Sequence, residues 1–281
     1  MQLGPQYLPL KIESDIEQIV FTPNITLRRL PEEEALNLFN LKSRSFHSDG
    51  RVHGYGYRTP RSVDPIPEQL KYSQIYSSNY VFVDNEGRNL HSQSLDSLVR
   101  LSSLGCSGLM IGYQKGSSII CWPSPYWTGL PFTKINQSEE GRLKQVFLRL
   151  SNLSPKAQMM LERYKFALSF DSIPDQNRFI DLTTIMEMIY IPEKSGTELS
   201  FRLSLRLAKV MNQKFGLNSK EAYKEAKKLY GIRSSLVHTG VSKALNHEML
   251  FKLLDFTHKS LALFIDEPSL FEEESLNELC L

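Results

Sequence analysis

The sequence predicts an α+β fold in two domains: a mixed α/β domain with a mainly antiparallel sheet over residues 1–150, and an all-helical bundle over residues 151–281. The chain of 281 residues is long for one domain of ~100–150 residues and sufficient for two. Up to about residue 140, short apolar runs are broken by Gly, Pro, Ser and Asn. After Ser154 and Pro155, long runs of helical period take over.

The first half is expected to be α+β or mostly β. Two runs, "QIVFT" and "NITLRRL", are typical of strands, and "NYVFVDNEGRN" is a strand that enters a turn. The run "PEEEALNLFNLKS" predicts a short helix with Pro31 in its first turn, and "HSQSLDSLVRLSSLG" predicts a helix ended by Gly105. The run "GLMIGYQKGSSIICW" predicts a hairpin.

Aromatic side chains gather in two loop segments of this half, "HGYGYRTP" and "CWPSPYWTG". They form either a stacking platform for bases or a pocket for a small trigger, or they cap the β core. The residues concerned are His53, Tyr55, Tyr57, Arg58, Trp122, Tyr126 and Trp127.

The second half is expected to be an up-and-down helical bundle. Within the third of its helices, Leu199, Leu203, Leu207 and Val210 form one apolar stripe. The breakers "IPEKSG", "GLNS" and "TGVSK" separate the later helices. The predicted helices lie near 155–170, 175–190, 197–214, 219–238 and 245–265.

The charge distribution permits, but does not require, a nucleic-acid partner. The net charge is +2, but residues 151–265 hold 17 Lys and Arg against 11 Asp and Glu. The last 16 residues carry six acids and no base. The helical half is therefore mildly basic with an acidic tail, which fits either a contact with RNA or an ordinary solvated surface.

Several classes of protein are disfavoured by what the sequence lacks. It has no twenty-residue apolar run and no basic, apolar leader, so neither a membrane span nor a signal peptide is expected. The three cysteines, Cys106, Cys121 and Cys280, have no CxxC spacing. No metal-ligand spacing and no glycine-rich phosphate loop is present. A cytoplasmic protein without metal or cofactor is the expectation.

The segment "LYGIRSSLVHTG" is the candidate for chemistry. Arg233 and His238 are five residues apart, which on an ideal helix separates them by roughly 140° around the axis. They share a site only if the helix loosens near Gly240, if the arginine curls around the helix, or if a second copy completes the site. Otherwise they are a structural arginine and a helix-end histidine.

The run "YGIRSSLVHTG" resembles the Arg-x4-6-His signature of HEPN domains, small helical bundles found in many RNA-cleaving toxins and defence proteins. The run "FIDLTTIMEMIYIPEKSGTELSFRLSLRLAKVM" followed by "AYKEAKKLYGIRSSLVHTG" resembles the ApeA-like HEPN group in particular. The resemblance covers about 155–265. It implies metal-independent RNA cleavage by homodimers whose two signatures face each other.

The resemblance assigns roles to four residues. His238 matches the acid/base position, and Arg233 matches the position that stabilises the phosphate. Ser234 stands where many HEPN proteins have Asn, Asp or His, and its hydroxyl can bond a phosphate. Glu187 lies in an apolar run and either orients Arg233 or His238, or forms a structural salt bridge with Arg202 or Arg206.

Further residues are candidates for RNA contact. Arg202 and Arg206 line either an RNA groove or a solvated helix face, and the lysines of the signature helix serve either the RNA backbone or solubility. His247 and His258 are expected at the surface or in an interface. The candidates for RNA contact are Arg202, Arg206, Tyr230, Lys224, Lys227 and Lys228.

The resemblance therefore implies an endoribonuclease that cuts tRNA or other single-stranded loops in anti-phage defence or a toxin-like abortive response, with the first domain as sensor or regulator. The alternatives are a non-catalytic HEPN module that binds RNA or a protein as an adaptor, and a bundle that only dimerises the first domain.

Overall fold

A computed structural model describes residues 6–10, 12–31, 34, 80–85, 92–102, 110–115, 118–123, 133–169, 173–192 and 198–280. The chain divides into two compact units, residues 1–150 and 151–281. Strands lie in the first unit and helices in both, so the predicted α+β class is confirmed. The predicted helix at 31–43 and the aromatic loop residues, apart from the backbone of Trp122, lie outside the described residues.

In the part of the first unit that the structure describes, the strands form one larger sheet and two pairs. The larger sheet has the antiparallel order β1-β5-β4-β3; β6 and β7 form an antiparallel hairpin, and β2 pairs with β8 in parallel. Strands were predicted at β3, β4, β5, β6 and β7 and are confirmed, whereas β1 and the β2-β8 pair were not predicted. The bounds are Gln6–Leu10 (β1), Glu13–Ser14 (β2), Gln18–Thr22 (β3), Ile25–Arg29 (β4), Tyr80–Asp84 (β5), Met110–Lys115 (β6), Ser118–Pro123 (β7) and Lys134–Ile135 (β8).

The described residues of this unit include two α-helices, α1 (Ser92–Ser102) and α2 (Glu140–Leu150). The sequence predicted α1 but not α2. The buried positions of α2 recur at helical spacing, at Leu143, Val146, Phe147 and Leu150. The ring of Phe147 lies 5.1 Å from that of Phe21 on β3, so α2 packs against the sheet.

The five helices predicted for the second unit are all present, and their ends differ from the prediction by a few residues. Local signals set these ends. Ser154 accepts a hydrogen bond from the Ala157 amide, and Asn218 accepts two at the start of α6. The bounds are Pro155–Ala167 (α3), Asp175–Tyr190 (α4), Leu199–Phe215 (α5), Ser219–Thr239 (α6), His247–Asp266 (α7) and Glu273–Glu278 (α8).

Helix α4 lies inside the second unit and packs against α3, α5, α6 and α7. Polar pairs within this core are hydrogen-bonded: the Tyr190 hydroxyl lies 2.9 Å from Ser260 Oγ, and the Tyr164 hydroxyl lies 3.0 Å from His258 Nδ1. His258 was predicted at the surface or in an interface. The prediction was wrong, because the buried face of α7 continues through His258.

The acidic C-terminal segment is folded onto the bundle and is not a free tail. A 3₁₀ turn at Pro268–Phe271 leads into α8. Phe271 packs its ring 5.5 Å from that of Phe264, and Leu276 is fully buried. These two apolar side chains hold the segment in place while Glu272, Glu273, Glu274 and Glu278 stay exposed.

Candidate active site

The candidate site lies on α6, which is one unbroken helix from its Asn218 cap to Thr239. Gly240 ends it in the left-handed conformation at φ 75°, and its amide donates to the Leu236 carbonyl. Of the three ways in which Arg233 and His238 could share a site, loosening of the helix near Gly240 is therefore not seen. Arg233 and His238 stay roughly 140° apart around the axis, with His238 in the last turn.

Glu187 of α4 contacts Arg233 and neither of the arginines of α5. Its Oε2 accepts a hydrogen bond from Arg233 Nη2 at 3.2 Å. Of the two alternatives left by the sequence, the salt bridge to Arg202 or Arg206 is wrong. The buried side chains of α4 are mostly apolar. The partly exposed Glu187 carboxylate lies at the edge of that surface, where it contacts the guanidinium of Arg233.

Tyr230 completes this cluster one turn before Arg233. The guanidinium of Arg233 lies over its ring, 5.7 Å from the centroid. Burial raises the pKa of the Tyr230 hydroxyl, and the nearby Glu187 carboxylate raises it further, while Arg233 acts in the opposite direction. The hydroxyl therefore keeps its proton at neutral pH and acts as a hydrogen-bond donor. A Tyr-x-x-Arg spacing on a helix is the signal for this contact.

The remaining residues of the signature lie on the solvent side of α6. Ser234 is half-buried and His238 is exposed; at 100° per residue they are roughly 40° apart. The side chains of Lys224, Lys227 and Lys228 are also exposed. Lys224 and Lys227 fall within roughly 40° of His238 around the axis, so one side of the helix combines an imidazole, a hydroxyl and two ammonium groups.

The two arginines of α5, Arg202 and Arg206, were expected to line either an RNA groove or a solvated helix face, and their surroundings in the structure differ from each other. Arg206 is only 3% exposed, and its guanidinium donates to the Tyr190 carbonyl at 2.8 Å and to Asn277 Oδ1 at 2.7 Å. It is therefore a structural residue, and its assignment to RNA contact is corrected. Arg202 lies 3.9 Å from Glu273 of α8, so the acidic C-terminal segment faces it.

Sequence reasoning missed an apolar patch beside His238. Val237 is 49% exposed and Val241 is 67% exposed. The two valines lie on either side of His238 in the sequence, at the end of α6. The signal was present in the sequence. On a helix, Val237 lies partly away from the buried face formed by Ile232 and Leu236, and it lies on the same side as Ser234.

Among the residues that the structure describes, no group of three or more His, Cys, Asp or Glu side chains is placed to hold a metal ion. None of the described helices is long and apolar enough to cross a membrane.

Comparison with known proteins adds no identification. No protein-family model, no curated protein and no solved structure matches the chain. The resemblance to HEPN domains therefore rests on the sequence motifs described above and not on these comparisons.

Proposed function

We propose that the protein is a cytoplasmic HEPN endoribonuclease that cleaves RNA without a metal, with Arg233 and His238 as its catalytic residues. The observation that carries the proposal is the composition of α6. Around the axis of this helix, Tyr230 and Ser234 lie between an arginine held by Glu187 and an exposed histidine. The exposed lysines of the same helix supply positive charge along the path of an RNA backbone.

The proposed reaction is transesterification within the RNA. The ribose 2′-oxygen attacks the adjacent phosphorus, its proton passes to a neutral imidazole, and the new O2′–P bond replaces the P–O5′ bond. The departing 5′-oxygen takes a proton from an imidazolium. Arg233 stabilises the negative charge of the phosphorane, and the Ser234 hydroxyl donates to a phosphate oxygen. The products are a 2′,3′-cyclic phosphate and a 5′-hydroxyl.

Two copies of the chain are proposed to form this site. On an unbroken α6 the two catalytic side chains diverge by roughly 140°, so one phosphate meets Arg233 of one copy and His238 of the other. A homodimer with α6 at its two-fold axis would hold two such sites, and in each the imidazole that takes the 2′-hydroxyl proton can pass a proton to the departing 5′-oxygen. The exposed Val237 and Val241 supply apolar surface for that interface.

Cleavage by the purified protein tests the proposal. The protein is incubated in chelator with total RNA and with tRNA, beside Arg233→Ala and His238→Ala. We expect the wild type to cut and each variant to lose at least about a hundredfold in rate. The ends of the fragments are then checked for 2′,3′-cyclic phosphate.

Two variants serve as matched controls. Arg163 of α3 pairs with Asp181 of α4 at 2.7 Å, so Arg163→Ala removes another arginine paired with that helix. His247→Ala removes another exposed histidine. Both should cut like the wild type. Equal cutting by wild type, Arg233→Ala and His238→Ala would show that this site does not perform the reaction.

A second candidate is a non-catalytic module that binds RNA or a protein partner. Two observations favour it: the charge of Arg233 is opposed by Glu187 at 3.2 Å, and α6 does not loosen before His238. Expression in cells separates the two functions. A nuclease should arrest growth and lose this effect in either alanine variant, whereas an adaptor should be tolerated.

The wider role is proposed from the resemblance. The helical unit would cut tRNA or other single-stranded loops, whose flexible backbone permits in-line attack, in anti-phage defence or a toxin-like abortive response. The first unit would sense the trigger or restrain the nuclease.

A further inference from the structure

Glu187 and Arg233 form only one of the two hydrogen bonds that a bidentate carboxylate–guanidinium pair has. A guanidinium and a carboxylate can form two parallel N–H···O bonds at ~2.7–2.9 Å. Here only Nη2 donates to Oε2, at 3.2 Å. Arg233 Nε and Glu187 Oε1 are both buried and have no hydrogen-bond partner among the described residues. Each residue thus retains one unused group at the contact.

Glu187 has an alternative partner in Tyr230. The Tyr230 ring lies 5.7 Å from the guanidinium that Glu187 contacts, and after burial the nearby Glu187 carboxylate raises the pKa of the hydroxyl further. A hydroxyl that keeps its proton can donate to a carboxylate oxygen, and Glu187 Oε1 is an acceptor without a partner among the described residues. If Glu187 moved from Arg233 to this hydroxyl, it would exchange one hydrogen-bond donor for another, and its charge would still be hydrogen-bonded.

Arg233 has freedom to turn toward solvent. Its side chain is 26% exposed, and that of Glu187 is 22% exposed, so the pair lies at the rim of the bundle and not in its core. The aromatic ring of Tyr230 lies against the guanidinium and favours a cation on its face whichever anion the cation binds.

We propose that Glu187 and a phosphodiester compete for Arg233, and that Glu187 passes to the Tyr230 hydroxyl when the phosphate binds. The ligand is the singly charged phosphate of a nucleic-acid backbone. This inference rests on the proposed function only in taking Arg233 as the phosphate-binding residue, and it requires no cleavage. Glu187 is then a specificity-determining residue, because an anion too weak to displace it is not bound.

Competition by Glu187 and orientation of Arg233 by Glu187 predict opposite effects on the affinity for phosphate. A carboxylate that only orients Arg233 helps the phosphate to bind, so its removal weakens binding. A competing carboxylate opposes the phosphate, so its removal strengthens binding. The direction of one change in affinity separates the two roles.

The test uses the full chain and a short, fluorescein-labelled 2′-O-methyl RNA, which lacks the nucleophile and cannot be cleaved. Fluorescence anisotropy gives the Kd at an ionic strength of about 10 mM, where the screening length is ~30 Å. We expect Glu187→Gln to bind roughly two- to fivefold more tightly than the wild type.

Glu225→Gln is the matched control for the loss of a negative charge. Glu225 also lies in the second unit, pairs with Lys252 at 3.0 Å and is exposed to a similar extent, 33%. Its replacement should change the Kd by less than Glu187→Gln does. Tyr230→Phe should weaken binding in the wild-type background, where the hydroxyl holds the displaced carboxylate, and should have no effect in the Glu187→Gln background.

Arg233→Ala tests whether the gain in RNA affinity on Glu187→Gln depends on the contact with Arg233. In that background, Glu187→Gln should no longer strengthen binding relative to Glu225→Gln. Thermal unfolding checks that each variant is folded, and Glu187→Met takes the same test if Glu187→Gln does not fold. Equal or weaker binding by the Glu187 variant overturns the competition, as does a gain that persists without Arg233, or no binding of the probe at all.

Cleavage is measured separately, so the two proposals fail separately. If Arg233→Ala abolishes cleavage but Glu187→Gln does not tighten binding, the nuclease proposal survives and the competition is wrong. If Glu187→Gln tightens binding but no RNA is cut, the phosphate site stands and the protein is a binding module.

Discussion

Arg206 donates from Nη2 to Asn277 Oδ1 at 2.7 Å, and this contact attaches the acidic C-terminal segment to α5. The other terminal nitrogen of the guanidinium donates to the Tyr190 carbonyl, at the last residue of α4. One buried side chain therefore joins two helices of the bundle to its C-terminal segment.

The first prediction follows from this burial. Arg206→Ala should lower the free energy of unfolding by about 1–3 kcal/mol, because it leaves the buried Tyr190 carbonyl without this donor. Urea unfolding followed by circular dichroism measures the change. Arg202→Ala, at a partly exposed ion pair with Glu273, should cost less than about 1 kcal/mol. An Arg206→Ala protein of unchanged stability would contradict the structural role.

The second prediction concerns Tyr190 at high pH. Burial raises the pKa of its hydroxyl well above the usual range, while the hydrogen bond to Ser260 opposes this rise. The unfolded chain loses the tyrosine proton near pH ~10, whereas the folded protein keeps it. The unfolded state then binds fewer protons, so stability falls as pH rises from ~10 to the folded pKa, by up to about 1.4 kcal/mol per pH unit.

Tyr190→Phe removes this loss. At pH 7 the variant should be less stable by about 1 kcal/mol, since it lacks the hydrogen bond to Ser260. Above pH ~10 the advantage of the wild type over the variant should shrink and then reverse. Urea unfolding of both proteins from pH 7 to 11 measures the difference, and a difference independent of pH would contradict the prediction.

The third prediction compares two glycines of α6. Gly240 has φ 75°, whereas Gly231 lies in the middle of the helix, and a Cβ at either position would meet nothing within 4 Å. Gly240→Ala should cost about 1 kcal/mol through backbone strain. Gly231→Ala should add about 0.5–1 kcal/mol through helix propensity. Thermal unfolding compares the variants, and changes of the same sign would be inconsistent with this account of the helix end.

The helices of the second unit could be predicted because their ends are set by local chemistry. Ser154 with Pro155, the Asn218 cap and the left-handed Gly240 each act within one turn of the chain. The burial of Arg206 could not be predicted in this way. It depends on Asn277, 71 residues further along, and an arginine beside an apolar stripe has the same local pattern whether solvent or a folded segment covers it.

The candidate site could likewise be predicted from the sequence only in part. The spacing of Tyr230 and Arg233 predicts that they are neighbours on a helix, and the structure has them in contact. The sequence offered three arginines as partners for Glu187 and no means of choosing, because the choice depends on how α4 packs against α6. The folding of the acidic C-terminal segment onto the bundle could not be predicted for a related reason: Phe271 and Leu276, which anchor it, stand among acidic residues that are typical of an exposed tail.

The fourth prediction decides whether one chain or two make the site. An equal mixture of Arg233→Ala and His238→Ala, unfolded and refolded together, should form mixed dimers. Each mixed dimer has one site with both replacements and one with neither, provided that Arg233 and His238 of different copies act together. Because half the dimers are mixed and each has one intact site of two, cleavage should return to about a quarter of the wild-type rate.

A site within one chain gives a different result. Neither variant then contains an intact site in any combination, so the mixture stays as inactive as each variant alone. Wild type refolded with either variant is the control for recovery from denaturant. Because α6 is continuous through Thr239, and the two side chains diverge on it by roughly 140°, we expect recovery in the mixture. Its absence beside an active wild type would mean that one chain supplies the whole site, either because α6 bends in the active protein or because the Arg233 side chain curls around the helix.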